Sequence, residues 1–158
     1  IQSQAPIDNQ VNESKRKHEE EMQTLRRELQ QELFEQAVIT AASLYFYAQK
    51  QKLQVQLWTA DSGLITGNIS VLETLAATNP NEKNNLPPDH CPIIWLTENA
   101  FTISSLPLGS RWLLWQNPDL SAETVINPEY PGIIIQNQQE LQPQLQKTLS
   151  LFKNDFSN

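Results

Sequence analysis

Glycine is scarce in this chain: four residues in 158 (Gly63, Gly67, Gly109 and Gly132), no two close enough to form a phosphate-cradling loop. Cysteine is scarcer still. The single Cys91 excludes a disulfide framework and a multi-cysteine zinc site. Basic side chains number 11 against 18 acidic ones, a formal charge of −7. That sign excludes the basic face with which a general nucleic-acid binder displaces counterions, and it disfavours docking on anionic lipid. No apolar run approaches the ~18–20 residues that span a bilayer, so direct membrane insertion is not expected. The longest apolar-rich stretch, Ala37 to Ala48, is interrupted by Thr40 and Ser43 and reads as a buried helix. No basic region followed by an apolar core opens the chain, so a secretory leader is not expected either. The first residue is Ile1 rather than Met, which suggests processing or, the preferred reading, a piece of something longer. The expected compartment is the cytoplasm, or the cytoplasmic face of a membrane if an upstream anchor exists.

What is abundant is amide. Gln and Asn occupy 31 positions, while charged residues make up only 18%, below the roughly 25% of a typical soluble domain. Residues Ile1 to Asn12 are amide-rich, carry Pro6 and show no period, so they read as an extended or disordered lead-in. From Glu13 to about Lys52 neither Pro nor Gly interrupts, and a long helix is expected. Its first half is charged on nearly every side; Met22, Leu25, Leu29 and Leu33 form a narrow stripe at helical spacing. Beyond Leu33 the residues Phe34, Ala37, Val38, Ala41, Leu44 and Tyr45 widen into a face suited to lying on a sheet. The chain therefore divides into an arm over 1–32, an α/β domain over 33–152 and a tail over 153–158.

Leu53 to Ala60 alternates apolar and polar residues, the pattern of a strand with one covered face, and Leu64 to Thr66 offers a short partner. Ser70 and Glu73 have capping-box spacing and are expected to open a helix through Ala77. Asn79 to Asp89 and Asn117 to Pro131 read as loops. Pro92–Thr97, Arg111–Trp115 and Gly132–Ile135 are continuous apolar runs, the mark of strands covered on both faces. A last amphipathic helix is expected from Gln138 to Phe152, with Pro143 in its first turn. The fold class is α/β, a mainly parallel sheet flanked by helices.

The blocks Leu33–Ala48, Val55–Ala60 and Val71–Ala77, continued through Pro92–Asn99, Leu106–Trp112 and Gly132–Gln136, resemble a bacterial domain-of-unknown-function family, number fifty-eight, itself similar to von Willebrand factor A domains. The likeness covers about three quarters of the chain. It implies a truncated A-type domain without catalytic activity, working with a protein partner such as a MoxR-type AAA ATPase. A-type domains hold Mg²⁺ through Asp-x-Ser-x-Ser at the end of a central strand, with a later Thr and acid, because a hard cation needs several converging oxygens. That strand is missing ahead of Leu33, and Asp8 lacks the serines. Thr97 and Glu98 are what the resemblance leaves of a Mg²⁺ site; no other cofactor is implied. Without the central strand, Leu53–Ala60 and Pro92–Thr97 would close on each other, accept Ala5–Val11 between them, or take a strand from another chain.

Other chemistry reads weakly. His90 beside Cys91 is a nucleophile-base adjacency in sequence, but a dyad works through spatial proximity. Asp61-Ser62-Gly63 lacks the glycine preceding a nucleophile elbow and reads as a turn. His18 and the Lys15-Arg16-Lys17 triplet face Glu19, Glu20 and Glu21 one turn on, a solvated helix face. Trp58, Trp95, Trp112 and Trp115 fall in expected strands and read as sheet-face residues. The expected function is protein interaction through the strand-end face near Thr97–Asn99 or through the arm stripe of Met22, Leu25 and Leu29. The alternative is a structural protein that forms homo-oligomers through the same arm.

Overall fold

The computed structural model describes residues 5–80, 86–116, 131–136 and 139–156. The expected loops over 79–89 and 117–131 lie partly and largely outside these residues, as do the first four positions, the expected helix start at Gln138 and the last two residues.

Helix α1 runs from Ala5 to Lys50, 46 residues and about 70 Å at 1.5 Å per residue. The expectation of an extended lead-in is corrected here from Ala5 onward. Pro6 falls in the first turn, where its missing amide hydrogen has no intrahelical partner to lose, and Asp8 in the same turn suits the positive helix end. The helix stops on a paired set of backbone bonds: Leu53 N–H to Ala48 C=O (3.1 Å) and Lys52 N–H to Gln49 C=O (2.9 Å). This closing turn requires a left-handed residue, and Lys52 supplies it at φ 60°. A β-carbon in that conformation costs roughly 1–2 kcal/mol, so Lys52→Gly is expected to stabilise the fold by about 1 kcal/mol, read as a higher urea midpoint. A lower midpoint would show that the lysine side chain contributes more than the turn.

Three parallel strands follow the order β3 (Ile94–Thr97), β4 (Arg111–Gln116), β5 (Gly132–Gln136). Their registers run Ile94 to Arg111 and Leu113 to Ile133. The continuous apolar runs are covered on both faces, as expected. On one face Leu113, Trp115 and Ile135 pack with Leu33 of α1, joined by Leu29, Ala37 and Leu44 and by Leu141 of α3 (Leu141–Phe156). On the other, Trp112 and Leu114 pack with Ile103 and Leu106. Ile103 belongs to a 3-10 helix, Ala100–Ser105, that makes the crossover between β3 and β4.

Strands β1 (Leu57–Thr59) and β2 (Gly63–Ile65) form a separate antiparallel hairpin. Asp61-Ser62 is its turn, closed by the Ser62 N–H on the Thr59 hydroxyl at 3.0 Å. Helix α2 (Asn68–Ala77) starts two residues ahead of the expected Ser70 cap. Gly67, at φ 100°, turns the chain there, and no side chain caps the helix. Val71 and Leu75 of α2 and Tyr45 of α1 make a third apolar cluster, with Val38, Leu57 and Ile65 packed on it. Helix α1 thus covers both sheets with one broad face.

Of the three expected fates for the missing central strand, two are overturned. Ala5–Val11 is helical, not a strand, and β1 and β3 belong to different sheets rather than to one closed sheet. Continuity of the helical pattern across Leu33 leaves no break at which a strand could start.

Candidate functional site

The strand-end face is built by short-range capping. The Thr97 hydroxyl, at the end of β3, accepts the Asn99 N–H at 3.0 Å, and the Asn99 side-chain oxygen accepts the Phe101 N–H at 3.1 Å. The Thr102 hydroxyl donates to the Asn99 carbonyl at 2.7 Å and accepts the Trp95 indole N–H at 2.9 Å. Thr97 and Asn99 are therefore the start signal of the 3-10 helix, which sequence reasoning did not place. Glu98 is exposed between them. Among the described residues no group of three or more His, Cys, Asp or Glu could hold a metal ion; Thr97 and Glu98 are brought into no such group. The capping geometry presents Phe101 outward, 88% exposed, an apolar tip that sequence reasoning missed because nothing local distinguishes it from a core phenylalanine.

The arm is the second candidate surface. Every described side chain from Asp8 to Glu28 is exposed, a length of about 30 Å. Val11, Met22 and Leu25 are its exposed large apolar residues, and a shallow open groove follows Lys17, Glu20, Glu21, Thr24 and Leu25. Arg16 reaches Glu20 at 3.8 Å and Glu13 at 3.9 Å, both in water, where such pairs add little. The stripe is shifted relative to expectation. Leu29 packs against the core cluster and Leu33 is buried within it, so the free apolar face ends at Leu25. At its other end it gains Val11, which lies three turns before Met22 on the same side.

His90 and Cys91 are both exposed, and His90 lies 3.5 Å from the Asp89 carboxylate. The hydroxyl of Ser62 sits on an exposed turn. Trp112 and Trp115 are buried, whereas Trp58 and Trp95 are half-buried and touch, with ring centroids 5.6 Å apart.

Amides act as clamps. The Gln36 side-chain oxygen accepts the indole N–H of Trp115 at 3.1 Å across 79 residues of sequence. The Gln144 amide both accepts the Gln136 N–H at 2.8 Å and donates to the Gln136 carbonyl at 3.0 Å, binding β5 to α3. No helix among the described residues is long and apolar enough to cross a membrane. Comparison with protein-family models, curated proteins and solved structures gives no match to this chain.

Proposed function

We propose that this chain is a non-catalytic protein-interaction module, a truncated or degenerate A-type domain of the cytoplasm whose α/β body carries two docking surfaces, the arm and the strand-end face. One observation carries the reading: about six turns of α1 stand free of the body with Val11, Met22 and Leu25 exposed. An isolated helix of that length is marginal in water, and a partner that covers its apolar stripe would stabilise it. Phe101 beside Asn99 gives the strand-end face an apolar anchor of the kind that dominates binding energy. The family resemblance supplies the partner class, a MoxR-type AAA ATPase.

The same stripe supports a second reading, self-association through the arm. Sedimentation equilibrium over a hundredfold concentration range, on the full chain and on a Met22→Glu/Leu25→Glu variant, separates the two. The interaction module is expected to stay monomeric in both forms, while the double variant loses at least tenfold in affinity for a MoxR-type ATPase. A mass that rises with concentration in the parent and returns to monomer in the variant would replace the first reading with the second.

A further inference from the structure

The free part of the arm has a symmetry of its own. Its exposed stretch, Asp8 to Glu28, has His18 at its midpoint. About that residue the charges are ordered oppositely, Lys15-Arg16-Lys17 before it and Glu19-Glu20-Glu21 after it. The exposed apolar residues Val11 and Leu25 stand seven positions before and seven after. At about 100° per residue both fall, with Met22, on the His18 face of the helix. Lys15 and Glu19 then lie on one flank of this face, Lys17 and Glu21 on the other. Arg16 and Glu20 are on the far side, where they already meet at 3.8 Å within the chain.

We infer that the arm is covered by the arm of a second copy of this chain, running antiparallel about a two-fold axis at His18. This deepens the second reading above, self-association through the arm, and rests on it; the strand-end face is left for a partner of another kind. Such a pairing sets each residue level with the one equally far beyond His18. Val11 packs on the partner's Leu25, Leu25 on the partner's Val11, and the two His18 rings meet at the axis. At 1.5 Å per residue, Lys15 and the partner's Glu19 differ by about 3 Å in height on one flank, as do Arg26 and the partner's Asp8. On the other flank Glu21 stands equally close to the partner's Lys17. Charges beside an apolar seam set partner and orientation, and here each of these contacts joins opposite signs. The pairing ends with Asp8 level with the partner's Glu28, just short of Leu29, where the body begins. A parallel pairing in register would set base on base and acid on acid. It would also bring both bodies to the stripe side at one level, where Leu29 and Leu33 already hold the sheet. The chain's own remaining residues do not match the arm: 117–130, the longest stretch outside the described ones, carry Asp119, Glu123 and Glu129 and no basic side chain to face Glu19–Glu21.

The test is disulfide trapping in the full chain, with the exposed Cys91 replaced by Cys91→Ser. Val11→Cys alone, Leu25→Cys alone and an equal mixture of the two are oxidised in glutathione buffer. The mixture is expected to link at least about tenfold faster than either variant alone, because the two copies of position 11 lie about 21 Å apart along the axis. Sedimentation equilibrium reads the charge order. Lys15→Glu/Arg16→Glu/Lys17→Glu should weaken self-association at least about tenfold, and adding Glu19→Lys/Glu20→Lys/Glu21→Lys to the same chain should restore it. Val11→Cys linking to itself as fast as the mixture would overturn the inference, and so would a sixfold variant as weak as the threefold one. A parent chain that stays monomeric throughout removes self-association itself and this pairing with it. A parent dimer without the mixed disulfide removes only the antiparallel pairing, so the two failures are told apart.

Discussion

Gly132→Ala is expected to be among the most damaging single substitutions, with a loss of about 3 kcal/mol or more against the ~5–15 kcal/mol that holds a typical domain together. Gly132 opens β5 directly opposite Trp112 of β4, and a β-carbon there would collide with the indole Cδ2, Cε2 and Cγ atoms of Trp112. The indole has no room to yield. Trp112 is 4% exposed and packed with Ile103, Leu106 and Leu114, so moving it would open the contact between the sheet and the 3-10 helix. Urea unfolding of Gly132→Ala should show a sharply lowered midpoint. Combined with Trp112→Leu, the double variant should be less destabilised than the sum of the two singles, because the smaller side chain removes the collision. A near-neutral Gly132→Ala would show that β5 shifts easily against β4, contrary to the packing described.

Gln36→Leu should follow closely, at about 1–3 kcal/mol, the cost of leaving a buried donor unpaired. The indole N–H of Trp115 is directed at the Gln36 side-chain oxygen, and Trp115 is only 2% exposed. Leucine keeps the volume and apolar contact of that position on α1 but removes the acceptor. The decisive measurement is a double-mutant cycle with Trp115→Phe. Once the indole donor is gone, Gln36→Leu should cost little or even stabilise, giving a coupling energy near 1 kcal/mol or above. Additive effects would mean that the bond contributes nothing beyond packing.

Both predictions concern positions whose importance the sequence conceals. Gly132 reads locally as the start of an apolar strand, and the indole that needs its missing side chain lies 20 residues earlier. Gln36 is one of 31 amides, placed in a helical stretch where any polar residue would look like a solvated one. The amide richness that stood out in composition has part of its explanation here. Amides on α1 and α3 reach a buried indole and an exposed strand end without placing a charge at either junction.

The local elements were more legible. Charge on nearly every side up to Gln31 and a broad apolar face after Leu33 separate the arm from the body, and the structure moves that boundary by about one turn, to Leu29. The three apolar runs fall on β3, β4 and β5, and the turn at Asp61-Ser62 joins two strands. The helix starts were less legible. The aperiodic stretch around Pro6 reads as an extended lead-in where Pro6 lies in the first turn of α1, and Ser70 reads as a cap where Gly67 already turns the chain. Proline and serine are each compatible with more than one place near a helix end, so the identity of the residue does not settle which place it takes. The 3-10 helix carries the candidate strand-end face, but it is too short for a periodic signal; its cap is a Thr97–Asn99–Phe101 relay that only coordinates reveal.

Periodicity is a property of neighbours along the chain, so the sequence alone determined the long helix, the apolar strands and the polarity of the arm. Which strand edges meet, which indole needs which amide and which phenylalanine points to water depend on contacts between residues tens of positions apart. Tertiary structure decided those, because backbone donors and acceptors at a sheet edge are the same in every sequence and acquire a partner only when the chain is folded.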